Sequence, residues 1–118
     1  MRPWFITVCL LLATATAVAQ EPLNQNDKRL LRWFDAATLG DVVTTIVGAG
    51  CHTVREVNPI LAGASPAGVI GFFVIRNVLH RAVTEAIPGE WRTVWLNSSI
   101  GVQTAVVLNN VTVLAKYC

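Results

Sequence analysis

The sequence predicts an all-α protein: a small bundle of about three main helices, embedded in a membrane, after an N-terminal signal segment. Hydrophobic residues make up 53% of the 118 residues and charged residues only 14%, and the mean hydropathy is +0.53. This composition is too apolar for an ordinary soluble domain. In addition, residues 57–75 and residues 93–115 form two long stretches that carry no formal charge.

The N-terminus has the order of a secretory signal peptide. One arginine precedes an apolar run, which ends in small residues and the triplet Ala17-Val18-Ala19. This order predicts a signal peptide over residues 1–19, with cleavage after Ala19 and a single helical domain over residues 20–118. The alternative is an uncleaved signal anchor, because the apolar run is shorter than the ~20 residues of a full membrane span.

The first predicted helix begins at Asn26 or Asp27, which are N-cap residues, and ends at Gly48-Ala49-Gly50. On a helical wheel, small and polar residues share one face with a single carboxylate: Thr38, Asp41, Thr44 and Thr45. A carboxylate inside a membrane helix is costly unless it faces a partner. We therefore expect Asp41 to face another helix.

The second predicted helix begins with Ser65 as N-cap and Pro66 at the first helical position, and it runs to about Ile87. Residues 67–75 have no polar side chain, and the helix becomes amphipathic from Arg76 onward. Arg76 lies well inside this segment. It is the residue that we expect to pair with Asp41 across the bundle.

The third predicted helix follows the break at Pro88-Gly89 and covers residues 93–115. Its length and its aromatic and basic flanks match a membrane span. Three polar residues, Ser99, Gln103 and Asn110, lie on one side of the helical wheel. This stripe predicts a face that contacts other helices rather than lipid.

Cysteines and charge narrow the function further. Cys9 lies in the predicted signal, so Cys51 and Cys118 remain as a candidate disulfide. The net charge of +2 is too small for the basic surface that nucleic acid requires, so we expect no nucleic-acid partner. The chain has no recognised catalytic or metal-ligand spacing. The sequence thus predicts no catalytic residue, no metal and no cofactor.

Two segments in the middle of the chain carry a resemblance to a known family. Asp41, Thr44 and Thr45, followed by Glu56, Asn58 and Pro59, form a D-x-x-T-T … E-x-N-P pattern. It resembles a family of small, uncharacterised bacterial multi-pass membrane proteins. The resemblance implies a helical membrane protein without established catalytic residues. Physically, these residues fix helix packing and a turn; the alternative is a buried acid pair, with His52 or His80, that binds an ion or relays protons.

The orientation of the predicted helices is ambiguous. A cleaved signal places Lys28, Arg29 and Arg32 outside the cytoplasm, whereas basic residues usually concentrate in cytoplasmic loops. An uncleaved signal anchor in the reversed orientation, which places these residues in the cytoplasm, satisfies that rule. In both orientations, three spans place Cys51 and Cys118 on the same side of the membrane.

These observations lead to three functional hypotheses. The first is a non-enzymatic inner-membrane protein in contact with lipid, which associates with itself or with a larger envelope assembly. The second is an ion or proton conduit, such as a holin-like pore. The third is a secreted or periplasmic soluble helical domain with a bridge between Cys51 and Cys118.

Overall fold

A computed structural model of the chain describes residues 21–56 and 58–118. It contains three α-helices, which we label α1 (Gln25–Ala49), α2 (Pro66–Ala86) and α3 (Gly89–Tyr117). Within the described ranges there is no β-strand. The predicted all-α fold class, a small helical bundle, is therefore confirmed. The predicted signal segment, residues 1–19, lies outside the described residues, as does Cys9.

The start of α1 differs from the prediction. Its N-cap is Asn24, not Asn26 or Asp27. The Oδ1 atom of Asn24 accepts from the backbone N–H of Asp27 at 2.8 Å, and the carboxylate of Asp27 accepts from the N–H of Asn24 at 3.0 Å. This reciprocal capping box satisfies two backbone donors that the first turn leaves without intrahelical partners.

The other helix boundaries follow local signals. Ser65 caps α2 as predicted, since its hydroxyl accepts from the N–H of Gly68 at 3.1 Å. Before it, the side chain of Asn58 accepts from the N–H of Ile60 at 3.0 Å and forms the predicted turn. The third helix begins at Gly89, earlier than the predicted residue 93, and its first turn is closed by Trp91 N–H, which donates to Pro88 C=O at 2.9 Å.

Each helix runs antiparallel to the next one in the chain, so α1 and α3 are parallel. The first helix, α1, packs against both of the others, most extensively along α3. We call the end where α1 and α3 begin the Arg92 end and the opposite end the disulfide end. Two glycines bring α1 close to α3. A Cβ atom on Gly40 would lie 3.2 Å from Val107, and one on Gly48 would lie 3.6 Å from Leu114.

The apolar core is small and divided into two parts. Leu30, Leu31 and Leu96 form one buried cluster, and Leu61, Val69 and Phe73 form the other. The radius of gyration, 16.5 Å, exceeds the ~13 Å of a compact domain of about 100 residues. Two helices, α2 and α3, are long and apolar enough to cross a membrane, by length and composition alone.

Candidate functional site

The carboxylate of Asp41 lies near the middle of α1 and is held by side chains from α1 and α3. Asp41 is only 6% exposed. Its Oδ2 atom accepts from Gln103 Nε2 at 2.7 Å, and its Oδ1 atom accepts from Asn110 Nδ2 at 3.0 Å and from the Thr45 hydroxyl at 3.3 Å. Gln103 and Asn110 are two helical turns apart, so both amides point from one face of α3.

The positive charge beside Asp41 comes from α2. Nη1 of Arg76 lies 3.8 Å from Oδ2 of Asp41, which is the ion pair that the sequence predicted. Its Nη2 atom donates to the hydroxyl of Thr38 at 3.0 Å, and its guanidinium carbon lies 5.6 Å and 4.7 Å from the ring centres of Phe34 and Phe73. Hydrogen bonding and cation–π contacts thus hold Arg76 beside the carboxylate without the two-pronged bond of a bidentate pair.

Further hydrogen bonds extend this cluster along α1. Thr44 accepts from Asn110 Nδ2 at 3.0 Å and donates to the carbonyl of Gly40 at 2.9 Å. Toward the Arg92 end, Asn77 Nδ2 donates to Asp35 at 3.0 Å. We call the whole set the central polar network: Asp35, Thr38, Asp41, Thr44, Thr45, Arg76, Asn77, Gln103 and Asn110.

His80 lies one turn after Arg76 on α2. Its ring stacks on Phe34 with a centroid distance of 3.7 Å and faces Trp95 at 5.1 Å. Both ring nitrogens are buried and have no hydrogen-bond partner among the described residues. Two aromatic rings therefore flank His80, which is half-buried.

Two cavities are lined by side chains that contact Asp41, although Asp41 itself lines neither. The disulfide-end cavity, of about 590 Å³, is lined by Thr44, Thr45 and Asn110, and the exposed Glu56 lies on its wall. The histidine cavity, of about 340 Å³, is lined by residues that include Arg76, His80 and Gln103. The side chains that contact Oδ1 of Asp41 line the first cavity, and those that contact Oδ2 line the second.

A second buried charge, Arg92, closes the Arg92 end. It is 1% exposed and lies 3.6 Å from the carboxylate of Asp27. Its guanidinium donates to the carbonyls of Thr84 at 2.9 Å, Glu85 at 3.0 Å and Pro22 at 3.1 Å, and also to that of Glu21. Arg92 therefore satisfies carbonyls that the end of α2 leaves without intrahelical partners, which is a structural role.

The predicted polar motif separates into two places. Asp41, Thr44 and Thr45 join the central polar network, whereas Glu56, Asn58 and Pro59 lie in the connection between α1 and α2. There, Glu56 accepts from the backbone N–H of Asn58 at 2.9 Å. The motif therefore supplies one side of the Asp41 site and, separately, a turn.

The residues of the predicted polar stripe on α3 form their hydrogen bonds within the chain. Gln103 and Asn110 contact α1, whereas the hydroxyl of Ser99 donates to the carbonyl of Trp95 at 2.8 Å, inside α3.

Cys51 and Cys118 are joined in a disulfide, with Cα atoms 5.6 Å apart. No group of three or more metal-ligating side chains occurs in the part of the chain that the structure describes.

Sequence reasoning named His80 only as an alternative partner of the acid pair, and it missed the role of Arg92. His80 shares a helix face with Arg76 four positions earlier, and that spacing was the available signal for its position. Arg92 carried no signal, because a basic residue at the start of an apolar helix is typical of a membrane anchor.

Neither a model of a known protein family, nor a curated protein, nor a solved structure matches this chain.

Proposed function

We propose that the chain is an integral protein of a bacterial inner membrane and that it acts, without catalysis, by association with further copies of itself. The observation that carries this proposal is the distribution of polarity. Several polar or charged side chains are buried, while large apolar side chains are exposed on all three helices. In water, such a surface leads to aggregation, whereas lipid stabilises it.

The exposed apolar residues follow the outward face of each helix. On α1 they recur every four residues, at Leu39, Val43 and Val47. On α2 they are Ile70, Val74, Ile75, Val78 and Leu79, and on α3 they include Val94, Val102, Val106, Leu108 and Val111. Asp41 and Thr44 of α1 contact α3 instead. This arrangement supports α1 as a third membrane helix, although its sequence is less apolar than that of α2 or α3.

Helix length supports the same proposal. The 21 residues of α2 and the 29 residues of α3 span roughly 31 Å and 43 Å at ~1.5 Å per residue, against a hydrocarbon core of ~30 Å. The resemblance of the D-x-x-T-T … E-x-N-P pattern to small multi-pass membrane proteins agrees with this location.

Two independent features favour one orientation. The disulfide between Cys51 and Cys118 forms in an oxidising compartment, which supports an orientation with the disulfide end outside the cytoplasm. The Arg92 end then faces the cytoplasm, where its basic residues are expected: Lys28, Arg29, Arg32, Arg81 and Arg92. This orientation favours the uncleaved signal anchor over the cleaved signal peptide.

The face available for association is the outward face of α3. Asn97, Gly101, Thr104 and Ala105 are exposed on it, and a Cβ atom on Gly101 would have nothing within 4 Å. Asn97 and Thr104 form no side-chain hydrogen bond within the described residues. Small residues allow two helices to approach closely, and polar side chains in lipid favour partners across a helix interface. The α3 helix of a second copy supplies both a closely approaching helix and polar partners.

Fractionation tests the location, and a sizing experiment tests the association. We expect the protein to resist carbonate extraction; a carbonate-soluble protein would refute the membrane location and favour a secreted helical domain. In mild detergent, we expect Gly101→Leu to convert an oligomer to a monomer. Gly71→Leu is the matched control, because this α2 glycine also has open space around it. A monomeric wild type, or a G101L variant of unchanged size, would contradict self-association.

A further inference from the structure

We propose that protons cross the bundle through the carboxyl group of Asp41, which takes up a proton from one cavity and releases it to the other. This inference rests on the proposed membrane location and adds an activity to it. The transported species is the proton itself, and the transmembrane gradient drives it. Only O–H bonds form and break, and nothing is oxidised or reduced.

The geometry assigns each carboxylate oxygen to a different cavity. Asn110 and Thr45, which donate to Oδ1, line the disulfide-end cavity, whereas Gln103, which donates to Oδ2, lines the histidine cavity. Both cavities, about 590 Å³ and 340 Å³, are large compared with the ~30 Å³ of one water molecule. A hydrated proton in either cavity can therefore reach a side chain that hydrogen-bonds to Asp41.

The side chains around Asp41 can satisfy it in both protonation states. As a carboxylate, it accepts from two amides and one hydroxyl, and Arg76 lies nearby without a direct hydrogen bond to it. As a carboxylic acid, it becomes a donor, and rotation of an amide presents the oxygen of Gln103 or Asn110 as the acceptor.

Other titratable groups lie along the same route. His80 lines the histidine cavity, and its two unpartnered ring nitrogens can accept and donate protons there. Glu56 and Arg55 lie on the wall of the disulfide-end cavity. Among the described residues, the side chains that contact the carboxylate of Asp41 are the Thr45 hydroxyl of α1, the Arg76 guanidinium of α2 and two amides of α3. Asp41 is therefore the one protonatable carboxyl group between the cavities within that part of the chain.

Proton flux into vesicles tests the proposal. The full chain is reconstituted in vesicles of phosphatidylethanolamine and phosphatidylglycerol that contain a pH-sensitive dye, and a potassium gradient with valinomycin sets the potential. We expect wild-type flux well above that of protein-free vesicles. Asp41→Asn keeps the shape of the side chain but removes its titration, so we expect flux to fall about tenfold or more.

Glu90→Gln is the matched control. This carboxylate is exposed in the first turn of α3, outside the central polar network, and lines neither of the two cavities. We expect E90Q to retain the wild-type flux. Formation of the Cys51–Cys118 disulfide, followed on non-reducing gels, reports whether D41N has folded. If D41N does not fold, His80→Phe takes its place, because phenylalanine preserves the aromatic stack and removes both nitrogens.

The outcomes separate this inference from the proposed location. Flotation with the vesicles and resistance to carbonate report insertion in the same preparation. An inserted wild type that conducts no better than protein-free vesicles would overturn the proton pathway and leave the membrane location intact. A folded D41N variant that conducts like wild type would also overturn the proton pathway. If D41N does not fold, an H80F variant that conducts like wild type would overturn it. A protein that does not float with the vesicles would refute both.

Discussion

Replacement of Arg92 by leucine should destabilise the bundle more than any change of a surface charge. Arg92 is 1% exposed, and it joins the capping box at the start of α1 to the last turn of α2. Leucine fills part of the volume but leaves the carboxylate of Asp27 buried without its positive partner. The carbonyls of Thr84 and Pro22 lose their donor as well.

The size of the effect follows from this burial. Loss of one partner of a buried ion pair costs about 3–5 kcal/mol. A cost of about 3 kcal/mol lowers the ratio of folded to unfolded protein roughly 150-fold. Arg81→Leu is the matched control: Arg81 pairs with Glu85 at 3.2 Å, but their side chains are 62% and 52% exposed. An exposed i,i+4 pair contributes only about 0.3–0.5 kcal/mol.

Denaturant titration in detergent micelles, followed by circular dichroism, measures both variants. Tryptophan fluorescence gives a local signal, because the indole N–H of Trp95 donates to the hydroxyl of Thr84 at 2.9 Å, next to the Arg92 contacts. We expect Arg92→Lys to fall between wild type and R92L, since lysine keeps the charge but not the planar fork of donors. An R92L variant no less stable than R81L would refute the argument.

Three further changes test the contacts between helices, each measured by the same titration. Cys51→Ser opens a bridge between residues 67 apart, so we expect a loss of about 4 kcal/mol, and reduction of the wild type should reproduce it. Gly40→Leu places side-chain atoms where a Cβ already lies 3.2 Å from Val107, so we expect a loss of about 1–3 kcal/mol, against little change for Gly71→Leu. Gln103→Leu removes the 2.7 Å bond to Oδ2 of Asp41, and we expect a loss of about 1–3 kcal/mol; a stable Q103L would show that Arg76 alone satisfies this oxygen.

Local signals in the sequence predicted most of the fold. Ser65-Pro66 located the start of α2, and two charge-free stretches located much of α2 and α3. The pairing of Asp41 with Arg76 also followed, because each was an isolated charge inside an apolar segment. The predicted N-cap of α1, Asn26 or Asp27, was wrong, since Asn24 and Asp27 both carry capping chemistry and only their mutual hydrogen bonds assign the roles.

The helical wheel could not assign partners to the polar stripe of α3. A wheel identifies which residues share a face but not which helix that face contacts, so Gln103 and Asn110 fitted contacts within the chain and between chains equally well. Arg92 was beyond local reasoning for a related reason. It bonds carbonyls up to 71 positions away, and these surround it only after the bundle has formed.

Asp41 and Arg92, two of the three buried charged residues in the described part of the chain, differ in the contacts that they make. In the membrane location that we propose, lipid offers no hydrophobic force between helices, so close packing at Gly40 and polar contacts would fix how α1 lies along α3. Asp41 does this by accepting from two amides that are two turns apart, and a slip of one turn, about 5.4 Å, would break both bonds. The same carboxylate carries the proposed proton pathway. We therefore expect substitutions at Asp41 to weaken the packing of α1 on α3 as well as the proposed flux, whereas substitutions at Arg92 act on the contacts of the Arg92 end.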